Sequence, residues 1–283
     1  MPLFAAVQME AIPGDPEANL RRVIERLQEA AGHGANVVVF PECVLTGYVL
    51  SAEEAEDLAE PIPGRRTQRL AEVCQASGCL ACVGTLEREA TGQLFNAAAL
   101  VGPSGLLARY RKTHLPCLGV DRYLAEGGSL VDPHPTTAGK LGMLICYDLR
   151  FPEPIRVLAL RGAEAVLLCT AWPDRAALYP EFTARARAEE NHVYLVAANR
   201  VGEERGVRYL GRSVIVAPDG KVLAEGSPDR EQILYAEVDL EISRQKRIVF
   251  KPGEYELDLF ADRRPELYAE LSAERERGEA QSR

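Results

Sequence analysis

The sequence predicts an α/β protein folded as a four-layer α-β-β-α sandwich with two mixed sheets, and three observations carry that prediction. Short apolar runs of strand length alternate with helical patterns along most of the chain. Several runs, Asn36-Val37-Val38-Val39-Phe40 above all, are continuous rather than alternating, the pattern of strands covered on both faces. Hairpins are mixed in among the strand–helix pairs, so the sheets are not purely parallel, and strands buried on both faces need a layer above and below them.

Taken in order, Leu3 to Met9 reads as a strand, and Asp15 or Asn19 opens an amphipathic helix through Ala30 with Leu20, Val23, Ile24 and Leu27 on one face. Gly34 closes it. The run 36–40 is the next strand and ends at Pro41-Glu42. Ser51 caps a short acidic helix, and Thr67 to Ser77 gives another before a strand from Leu80 to Leu86. Leu94 to Val101 and Leu106 to Tyr110 form a hairpin about Gly102-Pro103-Ser104-Gly105, and it runs straight into Arg111-Lys112.

The apolar run Leu141 to Ile145 stops at Cys146, and Pro152 forces a turn before a helix over 152–161. A strand at Ala165 to Cys169, a loop with the only tryptophan, Trp172, and a helix from about Pro180 to Asn191 follow. Strands at Val193 to Ala198, Ser213 to Val216, 221–225 and 232–238 complete the pattern, the first two separated by a loop rich in Gly and Arg. From Glu241 the composition turns Arg- and Glu-rich with Phe250, Tyr255, Leu257, Leu259 and Phe260, a tail over 241–283 that exposes apolar residues unless a partner subunit covers it. Glu274 to Arg283 read as solvated.

With 47% hydrophobic and 27% charged residues in 283, the chain suits a soluble enzyme of one large domain or two small ones. A net charge of −9 supplies no general field to hold nucleic acid or an anionic membrane, and no apolar run approaches the length of a membrane span. Small neutral or cationic partners fit better. Seven cysteines without a framework, and a start lacking the basic-apolar-small signal pattern, point to a reduced cytoplasmic protein with free thiols.

Three residues carry the chemistry. Cys146 stands where a strand turns into a helix, with the backbone N–H groups of Tyr147 and Asp148 placed to face a developing oxyanion. The plainer reading is an inert cysteine closing a core strand. Glu42, Lys112 and Cys146 each follow directly on an apolar strand run, and in a sheet whose neighbours run the same way all three converge at one rim. A carboxylate in a dry pocket beside an ammonium stays ionised while its basicity is tuned, so Glu42 can take a thiol proton and Lys112 can face an oxyanion. Read singly, Glu42 is also a helix N-cap contact and Lys112 a solvated hairpin end.

Competing signals are weaker. Cys74, Cys79 and Cys82 suggest a metal or redox cluster, but Cys79 and Cys82 point to opposite faces of a strand and no second CxxC or His pair completes a tetrahedron, so no metal and no cofactor is expected. His114, two residues beyond Lys112, opens a Cys-His alternative and reads as a loop tie. Gly127-Gly128 lacks the frame of a phosphate cradle, and Arg185, Arg187 and Arg200 with Glu189 and Glu190 read as helix-face and interface ion pairs.

Phe40-Pro41-Glu42, Tyr110-Arg111-Lys112-Thr113-His114-Leu115 and Ile145-Cys146-Tyr147-Asp148-Leu149-Arg150-Phe151-Pro152-Glu153, in this order and spacing, closely resemble the nitrilase superfamily of carbon–nitrogen hydrolases. The resemblance runs from Val7-Gln8-Met9 to about Asp262, giving a hydrolase domain over 1–262. It implies Glu42 as general base, Lys112 as oxyanion stabiliser, Cys146 as nucleophile and the Tyr147 N–H as second oxyanion donor. It also implies the four-layer fold and a homodimer, with the tail reaching across. A second glutamate of the family falls at Asp121 here, one methylene shorter, with Glu126 as the other candidate. Loops near Tyr48, Asp121 and Trp172 are expected to shape the pocket, and an acidic Asp121 suits a cationic or strongly hydrogen-bonding substrate. The Cys146 context looks more like the amidase branches, ω-amidases included, than true nitrilases, which implies hydrolysis of a small linear amide by water through a thioester, with release of ammonia. A nitrilase, an N-carbamoyl amine hydrolase and a non-catalytic scaffold of the same fold are the alternatives.

Overall fold

Asp15 opens the first helix by accepting the N–H of Ala18, and Pro16 begins it, where a missing N–H costs nothing. This helix, α1 (Pro16–Gly32), follows strand β1 (Leu3–Gln8) and buries Leu20, Val23 and Leu27. The computed structural model describes residues 1–273, so the expected solvation of Glu274 to Arg283 lies outside the described residues. Next come β2 (Val37–Val39), α2 (Ala52–Leu58), α3 (Arg65–Ser77), β3 (Leu80–Arg88), β4 (Leu94–Gly102) and β5 (Gly105–Arg111). Ser51 and Glu54 form a reciprocal capping box at α2, each accepting the other's backbone N–H. The chain continues through β6 (His134–Thr136), β7 (Gly139–Ile145), α4 (Pro152–Leu160), β8 (Ala165–Cys169), α5 (Ala184–Asn191) and β9 (Tyr194–Ala198). A small hairpin, β10 (Glu203–Glu204) with β11 (Val207–Arg208), precedes β12 (Val214–Val216), β13 (Val222–Glu225), β14 (Gln232–Glu237) and α6 (Leu240–Arg244).

Two mixed six-stranded sheets result, in spatial order β14-β1-β2-β3-β4-β5 and β13-β12-β9-β8-β7-β6. In the first, β1, β2 and β3 are parallel and β4 reverses; β5 reverses again and therefore runs with β2. In the second, β7, β8 and β9 are parallel. Because side chains alternate across a strand, Val38, Ala81, Val83, Ala97 and Ala99 face α1 and α3, packing with Leu20, Val23, Leu27, Leu70 and Cys74. The opposite face meets the second sheet, where Cys82 Sγ of β3 lies 3.7 Å from Cys169 Sγ of β8. Helices α4 and α5 cover the outer face of that second sheet, giving the expected four layers.

Three features departed from the sequence reading because their ordering is not local. The edge strand β6 and the hairpin β10–β11 are too short to show a period. The helix expected from Pro180 begins as one wide turn over Tyr179–Thr183 before α5. The chain divides into two units, Met1–Arg244 and Gln245–Arg283. The second contains a hairpin, β15 (Arg247–Lys251) with β16 (Tyr255–Asp258), on which Phe250 stacks against Tyr255 at 4.4 Å and both rings are exposed. Among the described residues no helix is long and apolar enough to cross a membrane.

Candidate active site

Glu42 is held at the end of β2 by contacts to both sheets. Phe40 N–H still bonds Cys82 O of β3, whereas Glu42 N–H turns to Thr170 O beyond β8, at 3.3 Å. The strand can turn there because β3 carries Gly84 at the crossing: a Cβ at that position would sit 2.5 Å from Pro41 O and 2.7 Å from Glu42 Cα. Cys43 then takes a left-handed φ of 48°, which carries the chain away and leaves the Glu42 side chain fully buried.

Lys112 arrives from β5, its N–H bonded to Asn96 O of β4, and its Nζ lies 2.7 Å from Glu42 Oε1 and 2.5 Å from Asp121 Oδ2. Asn96 binds both carboxylates, its Nδ2 donating to Glu42 Oε1 and Asp121 Oδ1 at 2.8 Å each. The Cys43 thiol faces Asn96 Oδ1 at 3.6 Å, which directs the amide nitrogen toward the carboxylates. Tyr48 Oη donates to Asp121 Oδ2 at 2.8 Å. Every carboxylate oxygen in this cluster therefore has a donor except Glu42 Oε2, which is buried and free to accept a proton.

Cys146 follows β7 at φ 41°, a strained left-handed position for a non-glycine residue, and opens a 3-10 turn through Arg150. The first N–H groups of such a turn have no partner within it, so those after the sulfur are available to an oxyanion. Asp148 fixes the elbow. Its carboxylate accepts the N–H of Ile145 at 3.0 Å, Tyr110 Oη at 2.8 Å, Thr113 Oγ1 and His114 N–H at 3.1 Å, and meets His114 Nδ1 at 2.8 Å. One buried side chain thus joins the Cys146 elbow to the segment around Lys112.

The charges are mutually adjusted. Burial pushes the Glu42 carboxyl above its ordinary value; the Lys112 ammonium pulls it down and Asp121 pushes it up again. For Lys112 burial works against the charged form, but Asp121 and Glu42 outweigh it and hold the ammonium protonated well above the usual lysine range. Burial, and then the charge of Glu42, push the Cys146 thiol up, while Lys112, the Thr170 hydroxyl and the Ala171 N–H favour the thiolate. Burial and the Glu42 charge thus favour the thiol form of Cys146, and Lys112, Thr170 and Ala171 oppose them.

Glu42 and Lys112 meet directly, and the three strand ends do not lie at one rim of one sheet. Glu42 and Lys112 come from β2 and β5, separated by β3 and β4, and Cys146 comes from the second sheet facing them. Asp121 rather than Glu126 meets Lys112, because the turn Gly119–Tyr123 brings it inward; Glu126 is exposed. Both Asp121 oxygens have donors within the protein, Asn96 on Oδ1 and Lys112 with Tyr48 on Oδ2, and Tyr48 is buried. Trp172 is buried, stacks on Tyr179 at 5.3 Å, and has no acceptor for Nε1 among the described residues.

His114 is engaged by Asp148 and stacks on Phe151, the loop tie its position suggested. Arg200 is not a helix-face or interface ion pair: it is buried against Glu204, because its loop folds inward beyond β9. Cys79 Sγ contacts Ser77 Oγ while Cys82 Sγ contacts Cys169, so the two sulfurs of the CxxC diverge. Sequence reasoning missed the roles of the Asn96, Asp148 and Glu204 side chains, having placed Asp148 only by its backbone N–H. For Asn96 one signal existed, an amide inside the otherwise apolar run Leu94 to Val101.

Comparison with known proteins agrees with this geometry. A family model described as carbon-nitrogen hydrolase matches residues 3–248. The chain is 38% identical over 270 residues to a protein of Pyrococcus abyssi (strain GE5 / Orsay) named nitrilase, covering 93% of this chain and 98% of the relative. It is 32% identical over 274 residues to Omega-amidase NIT2 of Homo sapiens, covering 93% and 94%. Among solved structures it is similar to a mutant amidase from Nesterenkonia sp. AN1 in which acrylamide has added to the active-site cysteine; identity is 27%, the TM-score 0.80, and 96% of this chain and 100% of that chain are covered.

Proposed function

The chain belongs to the carbon–nitrogen hydrolase family, and on that premise we propose that it is a thiol amidase that hydrolyses a small linear amide with Glu42, Lys112 and Cys146 as its catalytic groups. The observation that carries this reading is the buried Glu42 Oε2, which has no donor among the described residues, in a cluster with the Lys112 ammonium 2.7 Å from Glu42 Oε1, and a Cys146 thiol that burial and Glu42 push up.

Glu42 takes the Cys146 proton as the sulfur attacks the amide carbon. Lys112 and the Tyr147 N–H hold the resulting oxyanion. Collapse breaks the C–N bond, the proton passes from Glu42 to the leaving nitrogen, and ammonia departs from a thioester. Water, deprotonated by the same carboxylate, then releases the acid and restores the thiol. Trp172 Nε1, with no acceptor of its own, is the candidate donor to the substrate.

Ammonia release from short amides, nitriles and N-carbamoyl amines, measured for the native protein and Cys146→Ala, tests this. Release from amides by the native protein alone is expected. Preference for nitriles would instead favour the activity named for the Pyrococcus relative. Silence on every compound, with slow alkylation of Cys146, would favour the scaffold. We also propose a homodimer of a cytoplasmic protein, supported by the apolar Val249, Phe250 and Tyr255 exposed on the second unit, with a hydrolase domain over 1–262 and the tail from 241 as its partner-facing part. Sedimentation of the native chain as a monomer would remove the dimer.

A further inference from the structure

Behind the candidate catalytic cluster lies a second buried charge pair. Glu204 and Arg200 are each about 1% exposed, and Arg200 Nη1 donates to Glu204 Oε2 at 2.5 Å, where Tyr209 Oη also donates at 2.7 Å. The other oxygen, Glu204 Oε1, accepts two successive backbone N–H groups, Tyr48 at 2.8 Å and Val49 at 3.1 Å. Gly47, at φ 94°, leaves room for this: a Cβ there would stand 2.7 Å from Glu204 Oε1. A buried ion pair recovers its desolvation cost only with good geometry and filled lone pairs, so this one gains little stability over an apolar filling. What it supplies is position. Tyr48 carries the contact onward: its O accepts the N–H of Val120, and its Oη donates to Asp121 Oδ2, the same oxygen that holds Lys112 Nζ.

We infer that Glu204 is a positioning residue for the reaction: by holding the backbone of Tyr48 it sets where the Tyr48 hydroxyl meets Asp121, and through Asp121 where Lys112 stands. The inference rests on the proposed role of Lys112 at the oxyanion. It joins the small hairpin β10–β11, which follows β9 of the second sheet, to the lysine that follows β5 of the first, through four side chains and no substrate contact.

The test is a double-mutant cycle with Glu204→Gln, Tyr48→Phe and the double variant, read by kcat, KM and the pH dependence of Cys146 alkylation by N-ethylmaleimide. Each single change should lower kcat about 10-fold or more and move KM less than about 3-fold, and the double variant should fall no further than the worse single. Both singles should shift the alkylation limb to higher pH, because a displaced ammonium no longer favours the thiolate. Losses that multiply in the double variant, or a Glu204→Gln protein that melts earlier with kcat and the limb intact, would overturn the inference. Absence of turnover in the native protein would reject the amidase reading instead, and the alkylation limbs would still decide the role of Glu204.

Discussion

Tyr110 Oη donates to Asp148 Oδ2 at 2.8 Å, so the strand that ends in Lys112 and the elbow that carries Cys146 are tied by a hydrogen bond buried within the protein. Asp148 takes five polar contacts on two oxygens, and an amide in its place offers one acceptor oxygen and two unwanted donors. Asp148→Asn should therefore lower kcat by about 10- to 100-fold with a smaller change in KM, and lower the melting temperature. Steady-state kinetics beside a thermal melt checks this; a fall in melting temperature without a fall in kcat would make the tie purely structural.

Removing the proposed nucleophile or the proposed base separates chemistry from folding. Cys146→Ala should abolish turnover, and Glu42→Gln should lose at least about 100-fold, both with native circular dichroism. Glu42→Gln keeps an oxygen for Lys112 Nζ and Asn96 Nδ2 to meet, so the cluster retains its shape. Full activity in either variant would end the assignment.

The pH dependence has a definite sign. Burial raises the Glu42 carboxyl, so the acidic limb of kcat/KM should lie above the ordinary glutamate value of about 4.3, as a property of the coupled cluster. The Cys146 thiol is raised by burial and by Glu42, so its alkylation rate should still be climbing above the ordinary thiol value of about 8.5. Glu42→Gln removes that negative charge and leaves Lys112 in place, and the alkylation limb should move to lower pH. A limb that stays or rises would show that Glu42 does not act on the sulfur.

Asp121 offers no free oxygen to a ligand, so Asp121→Asn should reduce kcat for every amide in similar proportion and leave the order of preference among them unchanged. Ratios of kcat/KM across a panel with neutral, cationic and anionic acyl chains measure this. A selective loss of cationic substrates would restore a recognition role for the carboxylate.

Trp172→Phe removes an N–H that has no acceptor among the described residues and keeps an aromatic ring to stack on Tyr179. The unliganded protein should lose no hydrogen bond, and KM should rise by about 10-fold if a substrate accepts from Nε1. An unchanged KM would place the indole in the wall of the site alone.

The strands, helices and turns were legible in the sequence because each depends on neighbours a few residues away. Apolar runs marked where strands end, and the three proposed catalytic groups sit at those ends: Glu42 after β2, Lys112 after β5, Cys146 after β7. The contexts around them were enough to identify the family. What the sequence could not convey is how those ends are arranged, in two sheets rather than at one rim. A double reversal makes β5 parallel to β2, and the stacking of the second sheet brings Cys146 opposite both, neither of which leaves a local trace. Asn96 lies 54 residues from Glu42, Asp148 lies 38 from Tyr110, and Glu204 lies 156 from Tyr48. Their work is to fill lone pairs and fix positions across the interface between sheets, and a side chain that satisfies a distant partner looks, along the chain, like any other polar residue. Local pattern thus reached most elements and the candidate groups; their environment came from packing, because burial beside a particular charge is a property of the assembled sheets.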